Sequence, residues 1–312
     1  MDALISFILE MFVLYGMAIL GFMTKKMKLF QKDSDHVLTK LILYITLPAL
    51  ILYSLNVHFS VDLLKSFVWL IIMSIYILFF TCLLAYRMRK KAKLSSERKN
   101  VYEGLIIFGN QGFIGFAVSY ILLGEQGIIY ATIFNVCYLV LIWTYGIYLF
   151  SRSKESIDWK QILWNPGIIS TMIGIVIFFL PIKWPYFIAQ GLESVGKMTI
   201  PLSMMTIGML IANIKWTYFI SIIRNKYLWK LALTRLILIP LLLLPFSLFP
   251  IGFSVLLVAV IVSGMPSAPT IALYAQRFGG DATFAAVGSF LTTLLCIITI
   301  PILYGFIYLI YF

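Results

Sequence analysis

Two short segments carry the side chains best suited to hold a ligand. The first reads Phe108-Gly109-Asn110-Gln111-Gly112-Phe113-Ile114-Gly115, the second Ser263-Gly264-Met265-Pro266-Ser267-Ala268-Pro269-Thr270. Asn110, Gln111, Ser267 and Thr270 are neutral hydrogen-bonding groups that can orient a carboxylate. Their neighbours are poor helix formers. Inside a helix each glycine costs about 1 kcal/mol against alanine and each proline about 3 kcal/mol. Both segments therefore interrupt helices, with Gly112 and Pro266 at the expected breaks. Ser267 is the expected N-cap of the resumed helix and Pro269 fits its first turn. A half-helix that begins at such a break presents free N–H groups and a positive dipole end. Two such ends meeting would bind an anion without any formal charge. A single glycine or proline in a span commonly serves only packing or a kink. Paired breaks in corresponding positions point instead to a transporter site.

Both segments lie inside long apolar runs. The chain has 312 residues, of which 62% are hydrophobic and only 12% charged, too little charge to cover a soluble domain of that size. Runs of about 20 apolar residues recur, each long enough for a hydrocarbon core about 30 Å thick. Hydropathy and breakers predict ten spans, near 4–23, 36–56, 66–86, 102–123, 127–150, 166–182, 192–212, 227–248, 251–275 and 283–311. Pro240 and Pro245 predict a kink at the outer end of the eighth. The expected fold is an all-α membrane protein.

The net charge of +12 follows topology rather than nucleic-acid binding. Basic residues cluster after the odd-numbered spans: Lys25, Lys26, Lys28 and Lys32; Arg87 to Lys99; Arg152, Lys154 and Lys160; Lys215, Arg224, Lys226 and Lys230; and Arg277. The other side holds only Lys65 and Lys183 in loops. The asymmetry predicts a multi-pass protein of the cell membrane with both termini extracellular. Trp159, Trp164, Trp216 and Trp229 at inner ends, and Trp184 and Tyr186 at an outer loop, read as interfacial anchors. Cys82, Cys137 and Cys296 are scattered through apolar spans, and His36 and His58 have no partner motif, so no metal site or disulfide framework is expected. The first residues lack the basic and cleavage regions of a secretory signal, and the first apolar run reads as a permanent span.

The halves 1–150 and 151–312 echo each other. Ile45-Thr46-Leu47-Pro48 matches Met198-Thr199-Ile200-Pro201, Gly109–Gly112 aligns with Gly264–Ser267, and Gly124–Gly127 aligns with Gly279–Ala282. The shared order and spacing predict a duplicated five-helix unit. An odd number of spans per copy makes the repeat inverted, with broken helices 4 and 9 at its interface.

Other polar residues complete the inventory. Glu10, about two turns into span one, is a titratable group in an apolar run, with a coupling role or an outer vestibule as its two readings. Lys197 either attracts a substrate anion or snorkels to the outer interface. Arg235 is expected to snorkel at the inner end of span eight. Asn135 is placed to reach the span-four break, and Glu103 suits the start of a helix.

At these residues the sequence resembles the auxin efflux carrier family, in its bacterial branch of carboxylate (malonate-type) permeases. The resemblance rests on Leu47-Pro48-Ala49-Leu50, Gly109 to Gly115, Asn165-Pro166, Ile200-Pro201-Leu202, and Met265-Pro266-Ser267-Ala268 running on to Ala275–Asp281, and it covers nearly the whole chain. It implies a fold similar to bile-acid sodium symporters, with helices 1, 2, 6 and 7 as a scaffold and helices 3–5 and 8–10 as a moving transport unit. Substrate would bind where helices 4 and 9 cross, with Asn110 and Pro266 at its heart, and homodimers would form through the scaffold. Ala117 stands where the family often has proline, so the first break rests on its glycines.

The expected function is alternating-access transport of a small organic anion, with Asn110, Gln111, Gly112, Asn135, Pro266, Ser267 and Thr270 as binding residues and Glu10 and Lys197 in charge or coupling roles. No cofactor is expected beyond a coupling proton or sodium ion. A cation/proton antiporter on a related crossing would place a carboxylate there, and this crossing holds none. A channel differs by single-channel conductance instead of saturable flux. No nucleophile–base pair or cofactor loop suggests an enzyme.

Overall fold

The computed structural model describes residues 2–29, 34–56, 60–150, 164, 166–180, 183–212, 224–278 and 280–311. Among them all regular structure is helical, apart from one isolated antiparallel bridge between Gly109 and Ser267. Helices keep every backbone hydrogen bond within the segment, which suits apolar chains in lipid. Among the described residues five helical runs are long and apolar enough to cross a membrane: Val37–Ser54, Val61–Lys91, Glu125–Phe150, Lys226–Leu248 and Ala282–Tyr311.

In chain order α1 is Asp2–Lys26, and α2 (Ser34–Leu41) continues through a π-helical turn, Ile42–Thr46, into α3 (Leu47–Ser54). Helix α4 (Val61–Lys91) precedes α5 (Ser96–Ile107), a π turn Gln111–Gly115, and α6 (Phe116–Leu123). Then come α7 (Glu125–Leu141), a π turn Ile142–Gly146, α8 (Ile147–Phe150), α9 (Pro166–Phe179), α10 (Tyr186–Lys197) and α11 (Thr199–Ala212). The last group is α12 (Lys226–Leu233), a π turn Thr234–Leu238, α13 (Ile239–Leu241), α14 (Phe253–Ser263), α15 (Thr270–Phe278) and α16 (Ala282–Tyr311).

Helix ends depart from hydropathy where charge extends a helix beyond its apolar part. Arg89, Lys90 and Lys91 form the last turn of α4, favourable at the negative end of the helix dipole, and α5 begins at Ser96 with Glu97 in its first turn. The segment read from the sequence as one long basic connection is thus mostly helix. The kink expected in span eight appears as a π turn just before Pro240 and a 3-10 turn, Leu244–Leu248, holding Pro245. The basic residues Lys32, Arg152, Lys154, Lys160 and Lys215, with Trp159, Trp216 and His58, lie outside the described residues.

The chain divides into two compact units, each drawing on both halves of the sequence. The first comprises Met1–Val68, Gly112–Val136 and Trp159–Asn213. Its most extensive helix pair is α1 with α11, while α3 packs on α9 and α10. Glycines let α1 and α11 approach: a Cβ on Gly21 would collide with the Met205 carbonyl, and one on Gly208 with that of Ala18. The second unit comprises Trp69–Gln111, Cys137–Asp158 and Ile214–Phe312. There α16 packs against α5, α12, α14 and α15.

Candidate functional site

The two interruptions meet inside the second unit. Helix α5, only 12 residues long, stops at Ile107, and Phe108 turns extended with φ −98° and ψ 107°. Helix α14, 11 residues long, stops at Ser263, and the helix resumes as α15 at Thr270. Between these ends the chains run antiparallel: the Asn110 N–H donates to the Pro266 carbonyl at 2.6 Å, and the Ala268 N–H to the Phe108 carbonyl at 2.9 Å. Gly109 and Ser267 form the bridge pair. The first break therefore falls at 108–110, upstream of Gly112, which lies within the π turn that follows.

A helix end buried away from water leaves carbonyls that need donors. Five consecutive carbonyls at the end of α5 find them. Leu105 accepts from the Ser267 hydroxyl at 2.8 Å, and Ile106 and Ile107 both accept from Nη1 of Arg235 at 3.3 Å. Phe108 accepts from Ala268, and Gly109 from the Tyr138 hydroxyl at 2.7 Å. Beyond α14 the Met265 carbonyl accepts from Nε of Arg235 at 2.8 Å. Arg235 thus holds the ends of both interrupted helices and is only 2% exposed. A Cβ on Gly109 would collide with its Nη2, so glycine is required there by close approach. The expectation that Arg235 snorkels is overturned: carbonyl acceptors inside the unit hold its charged head. Ser267 is not an N-cap either, because its hydroxyl serves α5 while its N–H donates to Thr292 Oγ1 at 3.0 Å.

A family model described as membrane transport protein matches residues 6–162 and 155–304. The chain belongs to this membrane transport protein family. It is also 25% identical over 200 residues to an uncharacterised transporter of the archaeon Methanocaldococcus jannaschii, a match covering 62% of this chain and 65% of that protein. Family membership and the apolar helices support a multi-pass membrane protein.

In this membrane transport protein Asn110, Pro266 and Ser267 come together at the crossing, with Gln111 and Thr270 next to them in the chain. Asn110 is 4% exposed, and its Nδ2 has no hydrogen-bond partner among the described residues; the same holds for Gln111 Oε1. Gly112, Asn135 and Lys197 belong to the first unit. Asn135, on α7, is buried, with neither side-chain atom partnered among the described residues. Lys197 lines a cavity of about 390 Å³ there, walled by Val13, Met17, Leu50 and Ile200, and pairs with Glu193 at 2.5 Å. Tyr53 and Glu125 also line this cavity, the Tyr53 hydroxyl donating to Glu125 at 2.7 Å. Glu10 lies on α1, and its side chain is outside those described.

Glu103 does not start a helix. It sits two turns into α5, fully buried, where Arg89 pairs with it at 2.9 Å and the Tyr145 hydroxyl donates to it at 2.6 Å. Sequence reasoning missed Arg235, Tyr138 and this pairing of Glu103. A signal existed for Arg235: a lone arginine in an apolar run, on the side of Pro240 where the helix must rearrange.

Proposed function

We propose that this protein is a secondary transporter that moves a small organic anion, a carboxylate, across the cell membrane by alternating access. The observation that carries the reading is the antiparallel meeting of Phe108–Asn110 with Pro266–Ala268, beside a buried amide, Asn110, whose Nδ2 has no acceptor among the described residues. Irregular backbone persists at membrane depth only where protein buries it or a cavity needs it. The half-helix α15 starts at the break and directs its positive dipole end toward it, and Asn110, Gln111 and Thr270 supply directed hydrogen bonds to a carboxylate.

Ten spans in two inverted five-helix repeats, with both termini outside, fit this mechanism because mirror-related halves exchange inward- and outward-open states by rocking. Helices 1, 2, 6 and 7 would serve as scaffold and dimer interface, and helices 3–5 and 8–10 would move. Gly112, Asn135, Pro266 and Ser267 complete the binding set; Lys197 and Glu10 would attract charge or couple a proton or sodium gradient. A cation/proton antiporter is disfavoured because the charged side chain that bonds to the crossing is an arginine.

Reconstituted into liposomes with imposed proton and sodium gradients, the protein is expected to give saturable uptake of labelled mono- or dicarboxylates. Asn110→Ala is expected to abolish that uptake while the protein stays folded. Wild-type rates in this variant would remove Asn110 from the site, and single-channel currents in place of saturable flux would make the protein a channel.

A further inference from the structure

We infer that Arg235 sets the sign of the charge that the crossing accepts; this rests on the anion reading above and assigns its selectivity to a residue outside the proposed binding set. A guanidinium this deeply buried ordinarily pairs with a carboxylate. The hydrogen bonds of Arg235 go instead to three carbonyl oxygens, those of Ile106, Ile107 and Met265. All three belong to the terminal segments of α5 and α14. A helix C-terminus carries about half a negative charge, so two of them offset about one guanidinium.

The consequence lies in what remains. With both C-terminal ends offset, the N-terminus of α15 contributes its positive end at the break. Without Arg235, two negative ends would face one positive end, and the balance would favour a cation. The same backbone could therefore take either sign of cargo, and one side chain decides.

Two further observations point the same way. The Arg235 Nη2 and the Asn110 Nδ2 are buried donors without acceptors among the described residues, whereas Gln111 Oε1 is an acceptor without a donor. The surplus is of donors, which an anion satisfies. Position ties the two donors together: Nη2 lies against Gly109, and the Cα of Asn110 is about 3.8 Å further along the chain. The fixed charge therefore lies against the residue that precedes, in the chain, the amide proposed to touch cargo.

The test uses purified full-length protein in lipid nanodiscs, titrated with mono- and dicarboxylates of two to six carbons and with their matching amides. Folding is checked by monodisperse elution and thermal unfolding. The wild type is expected to bind at least one carboxylate about tenfold or more tightly than its amide, a modest effect for a unit charge in a protein interior. Arg235→Gln, which keeps donors but no charge, is expected to lose that preference to within about twofold. Arg235→Lys is expected to keep it with about tenfold weaker binding, because an ammonium cannot reproduce the guanidinium fork. Folded Arg235→Gln that still prefers the carboxylate overturns the inference and leaves the anion reading standing. If the glutamine variant does not fold, folded Arg235→Lys that binds amide as well as acid overturns it equally. A wild type that prefers the amides removes both readings together.

Discussion

Two close approaches of backbone hold this protein together, and they work by different physics. In the first unit α1 and α11 meet at Gly21 and Gly208, where main-chain atoms of one helix occupy the space a side chain would need on the other. In the second unit α5 and α14 meet end to end, and every approach is accompanied by a hydrogen bond from Ala268, Asn110, Arg235, Ser267 or Tyr138. Lipid tails are as apolar as leucine, so helices in a bilayer associate through fit and through polar pairing. The α1–α11 contact uses fit and is sensitive to size alone. The crossing uses both and is sensitive to size and to chemistry.

Substitutions can break or sharpen that contrast. The largest loss is expected for Gly208→Leu, which places a bulky side chain into the Ala18 carbonyl; overpacking of this kind costs about 3 kcal/mol or more and should leave little monodisperse protein. Gly109→Ala adds one methyl group but displaces the Arg235 guanidinium, with an expected loss of about 2–3 kcal/mol in thermal stability together with transport. Alanine tolerated at Gly109 as readily as at the exposed Gly191 would erase the distinction. Tyr138→Phe preserves shape and leaves the Gly109 carbonyl without its donor, for about 1–3 kcal/mol read as a lowered unfolding temperature. The smallest change in stability belongs to Asn110→Ala, within about 0.5 kcal/mol, since its amide nitrogen holds no partner among the described residues, while uptake is lost.

The sequence made the existence of both breaks readable, because clustered glycine and proline weaken helices wherever they stand. It did not place the first one. Counting glycines pointed to Gly112, yet the chain leaves the helix at Phe108, since Gly109 is where Arg235 needs room. That requirement comes from a residue far along the chain and leaves no local trace. Arg235 itself was misread for a related reason: hydropathy reports depth from neighbours in sequence, and a charge near the end of a span looks ready to reach water. Its acceptors are the carbonyls of Ile106, Ile107 and Met265, which sequence pattern presents only as apolar residues. Ser267 was expected to serve its own helix, and instead it serves α5. That Asn110 and Pro266 lie together was implied by the resemblance to the auxin efflux carriers, and the two share a hydrogen bond.

Each carbonyl oxygen from Leu105 to Gly109 accepts a hydrogen bond from a group of the protein itself. A visiting molecule would find that stretch of main chain already occupied and would have to bargain with side chains such as Asn110 and Gln111. Main chain is common to all residues, whereas side chains are exchanged by single substitutions. A knot of this design can stay constant through descent while its tastes drift.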